Sequence, residues 1–130
     1  MITALDSSVL IALFNKEADY QDWYPILDEA ELLVISHITL AEFSQNFPHP
    51  TDCLIPLTEI GVEITSLTNE SAFLAGQTYK QYRRNKGPRT TLIPDFLIAA
   101  HAQLQSDQLA SIDRGFHRTY FPDLKIISPD

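Results

Sequence analysis

Five short strand-like runs recur along this 130-residue chain, and the first four are separated by stretches of helical character. That alternation constrains the fold more than any other feature. The runs are ITAL before Asp6, LLVI before Ser36, GVEITSL from Gly61, LASI before Asp113 and LKII before Ser128. ITAL and LLVI show little polar alternation, the pattern of short strands buried on both faces. Ser7 or Ser8 is placed to cap a helix through SSVLIALFNK, and DYQDWYPILDEA reads as a second helix with a kink at Pro25. Ser36 is placed to cap HITLAEFSQNF, which Pro48 and Pro50 end. Residues 51–60 are ambiguous and read as helical. Thr68 caps a long helix through ESAFLAGQTYKQYRRN that Gly87–Pro88 stop. An alanine-rich helix follows Pro94, and an irregular stretch from Arg114 separates the last two strands. Strands alternating with helices predict one α/β domain spanning 1–130, with a mostly parallel sheet flanked by helices on both faces.

Composition narrows the setting. A chain of this length with 45% hydrophobic residues can bury one core. No run of about eighteen apolar residues exists, so no membrane-spanning helix is expected. The N-terminus lacks a basic region and a small-residue cleavage site, and Cys53 is the single cysteine. These features predict a cytoplasmic protein.

The net charge of −8 argues at first against a nucleic-acid partner. Its distribution says more. Residues 1–70 hold twelve acids and one base, Lys16, whereas residues 71–130 hold five acids and eight bases. Five of the nine bases lie in KQYRRNKGPR: Lys80, Arg83, Arg84, Lys86 and Arg89. Such a run is commonly the solvated end of a helix, where cations complement the dipole. Its position just before Asp95 gives a second reading, as a phosphate-backbone contact.

Four acids occupy matching junctions. Asp6 and Asp113 directly follow strands, and in an open parallel sheet ligands bind beyond the carboxyl ends of the strands. Asp95, after Pro94, lies at the start of an apolar helix whose N-terminus reaches the same edge. Glu42 is set among Ile38, Leu40, Ala41 and Phe43, where an unpaired carboxylate is costly. Each also has a structural reading: Asp6 as a helix cap, Asp95 as a first-turn acid, Glu42 extending to solvent, Asp113 as a turn residue. Taken together they form one set at one sheet edge. Four clustered carboxylates repel one another, and a hard divalent ion, Mg²⁺ or Mn²⁺, relieves that repulsion. His37, His49, His101 and His117 show no ligand spacing, and His101 reads as structural or exposed.

With those residues assembled, the sequence resembles the PIN-domain ribonucleases, particularly the VapC-type toxins of toxin–antitoxin pairs. ALDSSVLIAL is similar to the family's first strand, acid, hydroxyl residue and helix. TLAEFSQNF carries the internal Glu, and IPDFLIAAHA is similar to the family's Asp followed by an alanine-rich helix. ASIDRGFHRTYFPDLKIISP resembles the closing segment. Some members carry an extra acid just before its Phe, where this chain has Gly115.

The resemblance implies a metal-dependent endoribonuclease, with Asp6, Glu42, Asp95 and Asp113 as catalytic metal ligands around Mg²⁺ or Mn²⁺. Ser7 and Ser111 would orient carboxylates or water, and Arg83, Arg84, Lys86 and Arg89 would contact the RNA backbone, assisted by Arg114 and Arg118. It also implies a cognate antitoxin and a homodimer, with Trp23, Tyr24, Phe43 and Phe47 either in core packing or at those interfaces. Two other classes share the length and architecture. A phosphorylation receiver needs an acidic pair at the first strand end, where this chain has Asp6-Ser7-Ser8, and a haloacid-dehalogenase-like phosphotransferase needs an Asp at the position of Ser8. A non-catalytic interaction module would be expected to have lost part of its acidic set, and all four acids are present here.

Overall fold

The computed structural model describes residues 1–85, 93–113 and 115–129. Its elements follow the chain as β1 (Ile2–Leu5), α1 (Ser7–Phe14), a 3-10 turn (Tyr20–Trp23), α2 (Tyr24–Glu29), β2 (Leu32–Ile35), α3 (His37–Ser44) and α4 (Pro50–Glu59). They continue as β3 (Val62–Ile64), α5 (Asn69–Arg84), α6 (Ile93–Gln105), β4 (Gln108–Ala110), α7 (Gly115–Tyr120) and β5 (Ile126–Ile127). The five strands form one sheet in the order β3-β2-β1-β4-β5, with every neighbouring pair parallel. This order differs from the 2-1-3-4-5 of flavodoxin-like receivers, which removes that reading.

Strand pleating explains the two cores. Leu5, Leu33, Ile35 and Ala110 point into a layer with Val9, Leu10, Trp23 and Phe43 of α1, the 3-10 turn and α3. Their sequence neighbours Ala4, Val34 and Leu109 point the other way, against Ala75 and Tyr82 of α5 and Phe96, Ala99 and Ala100 of α6. A strand buried on both faces cannot alternate apolar with polar residues, which is why ITAL and LLVI do not. The alanines of α6 serve the same packing. Ala99, Ala100 and Ala102 are fully buried, and small side chains there let the helix lie close to its neighbours.

Several local expectations need correction. Asp6, rather than Ser7 or Ser8, occupies the N-cap position of α1. Pro25 sits in the first turn of α2, where its missing N–H costs nothing, so it starts that helix instead of kinking it. Helix α3 ends at Ser44, before the prolines. Helix α6 begins at Ile93, making Asp95 its third residue. The stretch after residue 114 is the helix α7, not irregular chain. The caps at Ser36 and Thr68 are as expected: their hydroxyls accept from the backbone N–H groups of Thr39 (3.4 Å) and Ser71 (3.1 Å). Gly61 turns the chain from α4 into β3 at φ +81°, a conformation strained for other residues.

The strand order fixes where a ligand site can form. From β1 the chain crosses to β2 and β3 on one side, whereas β4 returns to the other side of β1 and leads to β5. The crevice between the carboxyl ends of β1 and β4 is therefore the switch point of the sheet. The backbone N–H of Asp6 donates to the Ala110 carbonyl at 3.0 Å, holding these two strand ends together.

Candidate active site

Asp6 lies at that switch point. Its backbone carbonyl opens α1 by accepting from the N–H groups of Val9 (3.1 Å) and Leu10 (3.4 Å). Its side chain makes no capping hydrogen bond. It turns instead into the crevice, where Oδ2 accepts from Ser111 Oγ at 2.8 Å and Ser8 Oγ at 3.2 Å. His117 Nε2 faces the same oxygen at 4.0 Å. Burial alone would raise the Asp6 pKa, but its contacts with His117, Ser111 and Ser8 outweigh burial and hold it below the usual carboxylate value.

The other oxygen of Asp6 is treated differently. Oδ1 meets the Ser7 hydroxyl only at 3.4 Å, while that hydroxyl stands 2.9 Å from Glu42 Oε1. A serine has one hydrogen to donate, and the shorter contact takes it. Oδ2 is thus anchored to the protein, and among the described residues Oδ1 has no closer donor than Ser7.

Glu42 lies on α3, half-buried, and α3 packs on both α1 and α6. Burial raises its pKa, the Ser7 hydrogen bond opposes that, and the charges of Asp95 and then Asp6 push it up further. Glu42 therefore feels the charge of both Asp95 and Asp6. Such repulsion at neutral pH is what a bound cation relieves.

Asp113 joins through its backbone. Its N–H donates to Ser111 Oγ at 3.1 Å, and the Ser111 hydroxyl lies 3.2 Å from its carbonyl oxygen. Its carboxylate is exposed. Ser111, fully buried, is the hub that ties the Asp113 turn to Asp6.

The donor set is of the kind a hard divalent ion takes: oxygen ligands, acidic, with one carboxylate oxygen left open. Among the described residues, however, no group of three or more Asp, Glu, His or Cys side chains is already arranged to hold a metal ion. Asp6 is tied to Glu42 through Ser7 and to the Asp113 turn through Ser111, without forming a closed cage.

The remaining expected positions divide. Arg83 and Arg84 fall in the exposed last turn of α5, where they complement its dipole. Lys86, Arg89 and Arg114 lie outside the described residues. His101 is structural: it is buried on α6, its Nε2 is 2.7 Å from Thr65 Oγ1, and burial lowers its pKa. Trp23 and Phe43 are core residues, whereas Tyr24 is exposed. Two contacts of Asp6 escaped sequence reasoning, Ser8 as a side-chain donor and His117 as its imidazole neighbour. The sequence signal for His117 was its place inside the aromatic run FHRTYF, which implies burial of a polar ring. No helix among the described residues is long and apolar enough to cross a membrane.

Comparison with known proteins identifies the fold. The family model described as PIN domain matches residues 3–122. No curated protein matches the sequence. Among solved structures, the chain is similar to a chain of VapBC-1 from nontypeable Haemophilus influenzae, at 20% identity and TM-score 0.77, covering 99% of this chain and 98% of that one. It is also similar to a chain of VapBC2 from Rickettsia felis, solved bound to a DNA fragment from their promoter, at 20% identity and TM-score 0.73, covering 98% of each. A third is VapC20 of Mycobacterium tuberculosis, described as a sarcin–ricin loop cleaving toxin, at 15% identity and TM-score 0.65, covering 95% of this chain and 98% of that one. At these identities the likeness is one of fold. The family match spans nearly the whole chain: the protein belongs to the PIN-domain family.

Proposed function

We propose that this protein is a Mg²⁺- or Mn²⁺-dependent endoribonuclease and the toxin of a toxin–antitoxin pair. One observation carries the reading. Asp6 occupies a helix N-cap position but withholds its carboxylate from capping, turning it into the crevice shared with Ser111 and towards Glu42, which also feels the charge of Asp95. A cap residue that forgoes its cap gives up about 1 kcal/mol of helix stability, and ligand binding is the return on it. The substrate class is supported by the PIN-domain match and by a fold neighbour described as cleaving the sarcin–ricin loop.

In this reading Asp6, through Oδ1, and Asp95 hold the ion, with Glu42 and Asp113 completing the set directly or through water. A divalent ion bound there supplies Lewis acidity toward a phosphodiester and lowers the pKa of water. The protein's own groups do the rest. Ser8 and Ser111 fix the Asp6 carboxylate by Oδ2, so its free oxygen keeps one orientation. Ser7 binds Glu42 and keeps that acid beside Asp6. Arg83, Arg84, Lys86 and Arg89 contact the phosphate backbone of the incoming strand, aided by Arg114 and Arg118. Attack in line leaves a 5′-phosphate and a 3′-hydroxyl. With metal removed, the acidic rim repels RNA, so binding and turnover both depend on the cation.

The partners proposed are RNA, an antitoxin and a second copy of the chain, working in the cytoplasm. Toxin–antitoxin complexes recur among the fold neighbours. Apolar clefts of about 410 and 330 Å³ flank α3 and α4, with Leu40, Phe47 and Leu54 on one and Leu13, Phe14 and Ile60 on the other. An apolar antitoxin segment fits this chemistry. The test is cleavage of a fluorophore-quencher RNA library. Activity is expected with Mn²⁺ or Mg²⁺, none with EDTA, and none for Asp95→Asn at an unchanged melting temperature. Cleavage by Asp95→Asn at the wild-type rate would refute the assignment.

A further inference from the structure

His117 is not one of the expected site residues, yet it is buried in α7 and its Nε2 points at the central carboxylate. Its surroundings are apolar. The Phe116 ring centroid lies 5.2 Å away, and the next turn carries Tyr120 and Phe121. Within this nest Nδ1 has no hydrogen-bond partner among the described residues. A buried polar atom left unsatisfied is a cost that a leucine of similar size would avoid. The polar neighbour that gives the ring a reason to be there is Asp6.

Three elements converge on the same oxygen. Ser8 reaches Asp6 Oδ2 from α1, Ser111 from the end of β4, and His117 from α7. The hydroxyls are at hydrogen-bond distance. The imidazole, at 4.0 Å, is longer than a direct bond and acts as an electrostatic contact. Contacts of this kind at catalytic sites commonly tighten when the ligand binds.

We infer that His117 is a positioning residue for Asp6, holding Oδ2 together with the two serines so that Oδ1 is the oxygen offered to a divalent cation. The inference rests on the metal-dependent reading above. It specifies which ring nitrogen carries hydrogen: Nε2 must donate, leaving Nδ1 as the unpartnered acceptor, because an unpartnered buried N–H is the costlier alternative.

The test compares wild type, His117→Gln and His117→Leu as full chains stripped of metal with chelator. Calorimetric titration with Mn²⁺ gives the dissociation constant, and thermal melting without metal reports the fold. Glutamine places an amide N–H near the position of Nε2, whereas leucine fills the space without a donor. Leucine should weaken Mn²⁺ binding by about 10–100-fold, as loss of groups that orient metal ligands does, with a melting temperature equal to or above wild type. Glutamine should restore most of that affinity. Equal Mn²⁺ affinity for all three proteins would overturn the inference and leave the metal site standing, as would equal weakening by Gln and Leu. No uptake by wild type would overturn the metal reading and the inference with it. Should the leucine variant fail to fold, ¹⁵N spectra of histidine-labelled wild type decide: hydrogen on Nε2 and not on Nδ1 supports the inference, and the opposite tautomer overturns it.

Discussion

Replacing Ser111 by alanine tests how the crevice is held together. Its hydroxyl is fully buried, donates to Asp6 Oδ2 at 2.8 Å and accepts from the Asp113 N–H at 3.1 Å. Alanine removes one hydrogen bond to an ionised group and leaves the Asp113 amide to water. Bonds to charged groups contribute about 1.5–3 kcal/mol, so the loss should be about 2 kcal/mol, or roughly 8 °C in melting temperature for a domain of this size. The pH dependence separates this from a packing effect. Asp6 has a folded pKa below its ordinary 3.8, so its stabilising contribution is fully present above the unfolded value and lost as pH falls through the folded one. The difference between wild type and Ser111→Ala should therefore be flat above about pH 5 and shrink below about pH 4. Urea unfolding across that range measures it. A difference that stays constant into acid would show that Ser111 does not act through the Asp6 charge.

Glu42→Gln should stabilise the metal-free protein at neutral pH while lowering activity. The folded pKa of Glu42 is raised, so stability from its neutral form is present below the ordinary 4.5 and lost as pH rises through the folded value; a melting temperature no higher than wild type at pH 7 would contradict this. Phe96→Ala should cost about 3–5 kcal/mol by denaturant unfolding, because its ring is fully buried and contacts Tyr79, Tyr82, Phe116, Tyr120 and Phe121. Arg83→Gln with Arg84→Gln should reduce the salt dependence of RNA binding by about one to two in the log–log slope, measured by fluorescence anisotropy on a non-cleavable RNA analogue at saturating Mg²⁺. An unchanged slope would place the RNA path elsewhere.

What the sequence disclosed follows from the range of the forces involved. Strands buried on both faces announce themselves by unbroken apolar runs, and α6 by its alanines, so the layers and the sheet edge were legible. Asp6 and Asp113 stood out because they end such runs. The direction of the Asp6 side chain was not legible, since a cap position is compatible with capping or with turning away. The tie from Ser7 to Glu42 spans 35 residues and is a product of α1 packing on α3. Helix α7 has six residues, too short for a periodic signal, and depends on burying Phe116 and His117 against the aromatic cluster. The approach of His117 to Asp6 joins α7 to the end of β1 and has no local signature at all.

Calorimetric titration of Mn²⁺ into metal-free wild type and Asp6→Asn tests the central claim, that acids gathered between β1 and β4 hold a hard cation. Saturable uptake by wild type, accompanied by a rise in melting temperature because the ion binds the folded state, with both lost in a folded Asp6→Asn protein, is the predicted result. Equal uptake by the two proteins, or none by either, would contradict it.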